Sequence, residues 1–159
     1  PFVTTRSVLS MKNFAVLAVS LTAMMFPVFA NAQAKPDDVI KYRQSVFRVM
    51  AWNFGAMASM AKGETPYNKE AFARHAANVE FVSRLAIEGF SAGTDKGDTK
   101  AKPEIWSKMD DFKAKMGKMN DEAAKLSQVA KSGGFDEIKK QFGTTGASCK
   151  ACHDDYKNK

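Results

Sequence analysis

Both cysteines of the 159-residue chain and one of its two histidines fall within the stretch Gly146-Ala-Ser-Cys149-Lys-Ala-Cys152-His153. On a helix, Cys149 and Cys152 lie three apart and His153 lies four from Cys149. One turn therefore presents two sulfurs and an imidazole to nearly the same patch. C-x-x-C-H is the attachment pattern of haem c: the thiols add across two vinyl groups to give thioethers, and the His supplies an axial nitrogen to iron. Other chemistries use these residue types, and each fits less well. A disulfide between Cys149 and Cys152 would close a very tight ring, poorly matched to a helix. A dithiol redox site expects a strand before its C-x-x-C, and none precedes this one. A closed zinc site needs four ligands, and the only further His is His75, with no Cys left.

The elements that must position this turn read as helices. A stripe of Arg43, Phe47, Met50, Phe54 and Met57 recurs at steps of four and three, with Val39, Tyr42, Val46 and Val49 beside it. Phe72, Ala76, Val79, Val82 and Ala86 repeat the period. So do Ile105, Met109, Phe112, Met116, Met119, Ala123, Leu126 and Ala130, which predict one unbroken third helix. The fourth set is Phe135, Ile138, Phe142, Thr145, Cys149, Cys152 and Tyr156. These are amphipathic-helix patterns, and no segment sustains a period of two. Lys62–Pro66 and Ser132–Gly134 break the pattern, while Ser91–Lys102 is too polar and glycine-bearing to be helix. The expectation is an all-α, antiparallel up-down-up-down four-helix bundle.

Composition excludes several classes. At 45% hydrophobic and 11% aromatic, the chain is neither disordered nor a multi-span membrane protein. Its net charge of +7 comes from basic residues interspersed with acidic ones. That pattern reads as a solvated surface suited to acidic partners, not as a nucleic-acid binder. Lys12, the apolar run Phe14–Phe26, Pro27 and Ala30-Asn31-Ala32 compose a secretory signal. Cleavage is expected after Ala32, with Met11 as start and residues 1–10 upstream of it. This leaves 33–159 as a periplasmic domain with no membrane segment. Loss of Arg6 and Lys12 lowers the charge by two, from +7 to +5. Export also places the thiols in an oxidising compartment, where free pairs would ordinarily join.

Across 33–159 the chain resembles the cytochrome c′ family, the class II cytochromes c. The resemblance is carried by KYRQSVFRVM (41–50), NFGAM (53–57), KPEIW (102–106) and GASCKACHDDYK (146–157). In the familiar small cytochromes c the motif lies near the N-terminus with an axial Met downstream. Here six residues follow His153 and none is Met. The resemblance implies haem c held between the helices, with Cys149 and Cys152 as thioether cysteines and His153 as the sole protein ligand to iron. It places Arg43 and Gln44 at the haem propionates, Asp98 at the haem edge, and Phe47 at the distal position, where Leu is frequent. Lys157 stands where relatives often carry Arg beside the ligand. For Arg43 there is also a physical case, because a cation on the inner stripe is costly unless an anion meets it.

The function expected is a five-coordinate, high-spin haem protein that binds NO and CO and transfers electrons to redox partner proteins. The family is commonly a homodimer built on its first helices. An enzyme is a weaker reading, since no acid–base pair accompanies the site. The alternative is a six-coordinate, low-spin electron carrier with Met50 as second axial ligand. His75 is expected to be a partly buried, hydrogen-bonded residue, and the remaining Met side chains to fill the core.

Overall fold

The computed structural model describes residues 34–159; the signal segment expected over 1–32 lies outside the described residues. Pro36 opens α1 (Pro36–Lys62) at a position where its missing N–H costs nothing, and Asp37 and Asp38 complement the positive helix end. Gly63, at φ 76°, closes it in the left-handed conformation that glycine adopts without strain. Asn68 caps α2 (Lys69–Leu85), its side-chain oxygen accepting from the Ala71 N–H at 2.8 Å. A 3-10 turn, Ala86–Gly89, follows, then the polar connection, the single-turn α3 (Glu104–Ser107), α4 (Met109–Ser132) and α5 (Phe135–Tyr156).

The third helix is therefore divided, not unbroken. Lys108 has left helical geometry, at φ −124° and ψ 42°, and separates Ile105 from Met109. Contacts outside the period cause the break. The Trp106 indole N–H donates to the Ser91 carbonyl at 3.0 Å, and the Lys102 N–H donates to the Tyr156 carbonyl at 3.0 Å. These fix α3 against the loop and the end of α5, so the chain must turn again before α4. Ile105 still reaches the core from its separate turn.

Cross-helix hydrogen bonds give the directions. Asn53 pairs with His75 and Asn78 while Arg43 reaches Gly89, so α1 and α2 run antiparallel. Glu122 meets Gln141 and Thr145 while Asp111 meets Tyr156, so α4 and α5 do as well. The neighbours α1–α2, α2–α4 and α4–α5 pack closely. Between α1 and α5 the contact is made by side chains, with Phe54 and Phe142 stacked at 4.3 Å between centroids. The all-α antiparallel bundle expected from the periods is the fold observed.

The core is two apolar clusters, one at each end. Met57, Phe72, Ala76, Leu126 and Ile138 form one; Val46, Met50, Phe90, Phe112, Met116, Cys152 and Tyr156 form the other. The buried face of α1 is Ile40, Arg43, Val46, Met50, Asn53, Met57 and Met60. The second apolar set of α1 thus divides, with Val46 inside and Tyr42 and Val49 exposed. Glu122 is buried, and its carboxylate accepts from Gln141 and Lys125. The Gln141 hydrogen bond, with Lys125 after it, lowers its pKa.

Gly89 lets the 3-10 turn lie against α1. A Cβ there would stand 2.2 Å from Arg43 Cβ and 3.1 Å from Arg43 Cα, neither of which is a flexible chain end. Gly89→Ala should therefore cost about 1–3 kcal/mol by overpacking. Gly117→Ala, in α4 with open space at the Cβ position, should instead gain roughly 0.5–1 kcal/mol from helix propensity. Denaturant melts of the two variants check the pair; equal effects would mean the close approach at Gly89 is not a constraint.

Candidate functional site

The last turns of α5 carry Cys149, Cys152 and His153. Both thiols are free, Cys152 buried and Cys149 half-buried against the same apolar cluster. Burial pushes the Cys152 thiol up to about 11, opposed by the Lys115 ammonium, and burial likewise raises Cys149. Burial thus disfavours the thiolate at both positions. His153 follows on the rim, in a cleft lined also by Lys100, Lys102, Asp154 and Lys157. Burial of its ring, then the Lys157 cation, lowers its pKa. The imidazole is therefore neutral at pH 7, with a lone pair available to a metal.

Across the cluster stand Phe47 and Met50 of α1, with Phe90 edge-on to Phe47 at 6.3 Å between centroids. Phe47 and Met50 of α1 thus meet Cys149 and Cys152 of α5 in one cluster, while His153 is exposed outside it, and the geometry accommodates either Phe47 or Met50 facing a group held by the cysteines. His75 is elsewhere, its Nδ1 2.9 Å from Asn53 Oδ1 between α1 and α2.

Arg43 is 3% exposed, so it is not a snorkelling surface side chain. Its guanidinium donates to the Gly89 carbonyl at 3.0 Å, Thr94 Oγ1 at 3.0 Å, the Thr94 carbonyl at 2.8 Å and Thr99 Oγ1 at 2.5 Å. It also lies over the Phe90 ring at 5.0 Å and the Trp106 ring at 5.6 Å. Beside it, Gln44 Nε2 donates to the Asp98 carbonyl at 2.7 Å, which brings those two predicted residues together. The Asp98 side chain is exposed.

These observations test whether haem c suits the site. Every acceptor on Arg43 is neutral, and among the described residues no carboxylate pairs with it. A buried cation without an anion suits a propionate. Among the described residues no three His, Cys, Asp or Glu side chains converge as a metal cage. Two thiols against hydrocarbon, with one exposed imidazole on the same turn, suit thioethers and a single iron ligand. The donor set fits.

Sequence reasoning missed several partners. Thr94 and Thr99, which hold Arg43, lie in the aperiodic loop where no pattern distinguishes them. Asn53 interrupts an apolar stripe, which was the available signal for a buried polar link. Tyr156 packs edge-on to Phe112 at 5.3 Å and donates its hydroxyl to Asp111. That hydrogen bond, with burial, pushes the phenol up to about 12. Lys102 lies in a stretch quoted for resemblance, yet nothing in its type announced its contacts with α5.

Comparison with known proteins agrees with the site. The family profile described as Cytochrome C' matches residues 38–157. The cytochrome c' of Rubrivivax gelatinosus is 44% identical over 126 residues, covering 79% of this chain and 98% of that protein. The solved cytochrome c prime from Shewanella frigidimarina superposes with a TM-score of 0.77 at 46% identity, covering 79% and 98%. A nitric oxide complex of a mutant of cytochrome c prime from Alcaligenes xylosoxidans superposes with a TM-score of 0.74 at 42% identity, covering 79% and 98%. Motif, bundle and matched length converge on one conclusion: the chain belongs to the cytochrome c′ family, four-helix proteins that carry haem c.

Proposed function

We propose that the protein is an exported, periplasmic c-type haem protein whose iron is held by His153 alone and left open to small neutral gases. The observation that carries this reading is one turn of α5 that sets Cys149 and Cys152 against the apolar cluster of Phe47 and Met50 and leaves the His153 imidazole exposed on its rim. Haem c, when bound, would supply an iron able to take a small diatomic ligand such as NO or CO. Cys149 and Cys152 tether it by thioethers, while the neutral imidazole of His153 offers its lone pair. Arg43 meets a propionate, with Gln44 and Asp98 at the mouth. Phe47 and its neighbours in the cluster bear no hydrogen-bond donor suited to a polar bound O₂, which favours neutral diatomics. The nitric oxide complexes of the Alcaligenes protein support a gas ligand. Electron exchange with redox proteins is a second role of the same site. Among the described residues no helix is long and apolar enough to cross a membrane.

The alternative, Met50 as second axial ligand, is favoured by its burial in that same cluster. Solvent extraction and the visible spectrum separate the readings. Haem should stay with the parent protein in acidified organic solvent and leave the Cys149→Ala/Cys152→Ala variant; loss from the parent would end the thioether assignment. The ferrous parent should show a broad high-spin band that Met50→Leu leaves unchanged. Sharp split bands that become high-spin in Met50→Leu would establish the alternative.

Phe47 controls access. Its ring is half-buried, so Phe47→Ala should cost less than the ~3–5 kcal/mol of a fully buried Phe. The space released should raise the CO association rate. Thermal melts beside stopped-flow CO binding test this; lower stability with a parental CO rate would make Phe47 core alone.

The chain further acts as a homodimer through α1 and α2. Trp52 is 79% exposed, Phe81 67% and Val49 47%, an apolar patch that a second copy would cover. The hydrogen bond between Asn78 and Asn53, 3.0 Å long, ties the segment bearing Phe81 to the segment bearing Trp52. Sedimentation should give a dimer for the parent and a monomer for Trp52→Glu; a monomeric parent would refute the assembly.

A further inference from the structure

A helix leaves its last carbonyls without intrahelical donors. At the end of α5 the Lys157 N–H still serves the His153 carbonyl, at 3.1 Å. The next three carbonyls, those of Asp154, Asp155 and Tyr156, are all served by one residue outside the helix. Lys102 Nζ donates to Asp154 O at 3.2 Å and to Asp155 O at 2.9 Å, and the Lys102 backbone N–H donates to Tyr156 O at 3.0 Å. The flanking chain joins the same clamp. Asn158 N–H donates to the Lys100 carbonyl at 2.8 Å, and Ala101 bridges antiparallel to Lys157.

We propose that Lys102 is the positioning residue for His153, holding the last turn of α5 in place and setting the charge beside the ligand. The proposal rests on the reading of His153 as an iron ligand. Three donors from one residue remove the freedom of the turn to fray, and the ammonium sits at the negative end of the helix dipole, where a cation is favoured. None of Lys100, Lys102, Lys157 and Lys159 forms an ion pair with a carboxylate among the described residues, and all four line the His153 cleft. Asp154 lines the same cleft but is paired with Lys150, so the four unpaired lysines leave the ligand side of the site net positive. A positive charge held there opposes the extra charge of oxidised iron, so Lys102 raises the reduction potential as well as ordering the turn.

The test uses the haem-bearing protein with Lys102→Met, which keeps the backbone donor and the side-chain length but removes both Nζ bonds and the charge. Hydrogen exchange at the Lys157 and Asn158 amides should quicken about tenfold, the scale of one lost charge-assisted hydrogen bond. The midpoint potential should fall, and Lys102→Arg should restore both. Lys102→Gln, able to donate but uncharged, should keep part of the protection and still show the lower potential. Lys69→Met is the control: Lys69 Nζ donates to the Gly133 carbonyl at 3.2 Å, just beyond the end of α4. Its loss should lower stability and leave the potential unmoved. A Lys102→Met protein with parental exchange and potential overturns the proposal, as does an equal shift in Lys69→Met. A parent without solvent-resistant haem overturns the haem reading itself, and this proposal with it.

Discussion

A guanidinium leaves water only if its charge and its donors are met, and the haem end of this bundle is organised around that demand. Arg43 is on α1, but its acceptors belong to the 3-10 turn and to the long loop, at Gly89, Thr94 and Thr99. Meeting its donors therefore folds a stretch that has no apolar period of its own. The loop, once fixed, anchors Trp106 through Ser91. It also delivers Ala101 and Lys102 to the end of α5. One buried cation is thus connected, through a chain of hydrogen bonds, to the turn that carries His153. What those bonds leave unmet is the net charge: among the described residues no carboxylate pairs with Arg43, and burial lowers its pKa. Structure and electrostatics ask for the same thing at this position: an anionic group in the apolar cluster.

The legible part of the fold was the part governed by period. Helical spacing located all four long helices, and Gly63 and the Ser132–Gly134 break marked two ends where the structure also has them. The C-x-x-C-H spacing announced its chemistry because that chemistry depends on residues within one turn. The division at Lys108 was illegible, since the apolar steps from Ile105 to Met109 and Phe112 continue across it. What breaks the helix is a pair of contacts to residues far along the chain, Ser91 and Tyr156. The same limit hid Lys102. A Lys in a polar stretch ordinarily reads as solvated surface, and only the arrival of α5 beside it supplies three orphan carbonyls. On α1, the period named a stripe but not its centre. Asn53 holds a core position because His75 and Asn78 approach it from α2, while Val49, apolar by type, faces outward.

The two core clusters divide the work between stability and site. At the far end, Met57, Phe72, Leu126 and Ile138 are almost wholly buried, and Phe142 stacks on Phe54 to join α5 to α1. That end is a conventional packed core, dense enough to hold four helices together by area burial. At the cysteine end, α1 and α5 are joined through side chains such as Phe47 and Met50 rather than through close backbone approach. Such a junction can admit a flat group by moving side chains without separating helices already locked elsewhere. The polar clamps, Arg43 to the loop and Lys102 to α5, then fix the rim of that junction from outside. Rigid helices below and hydrogen-bonded edges above leave one deformable region, and it lies between the thiols of α5 and the Phe47 face of α1.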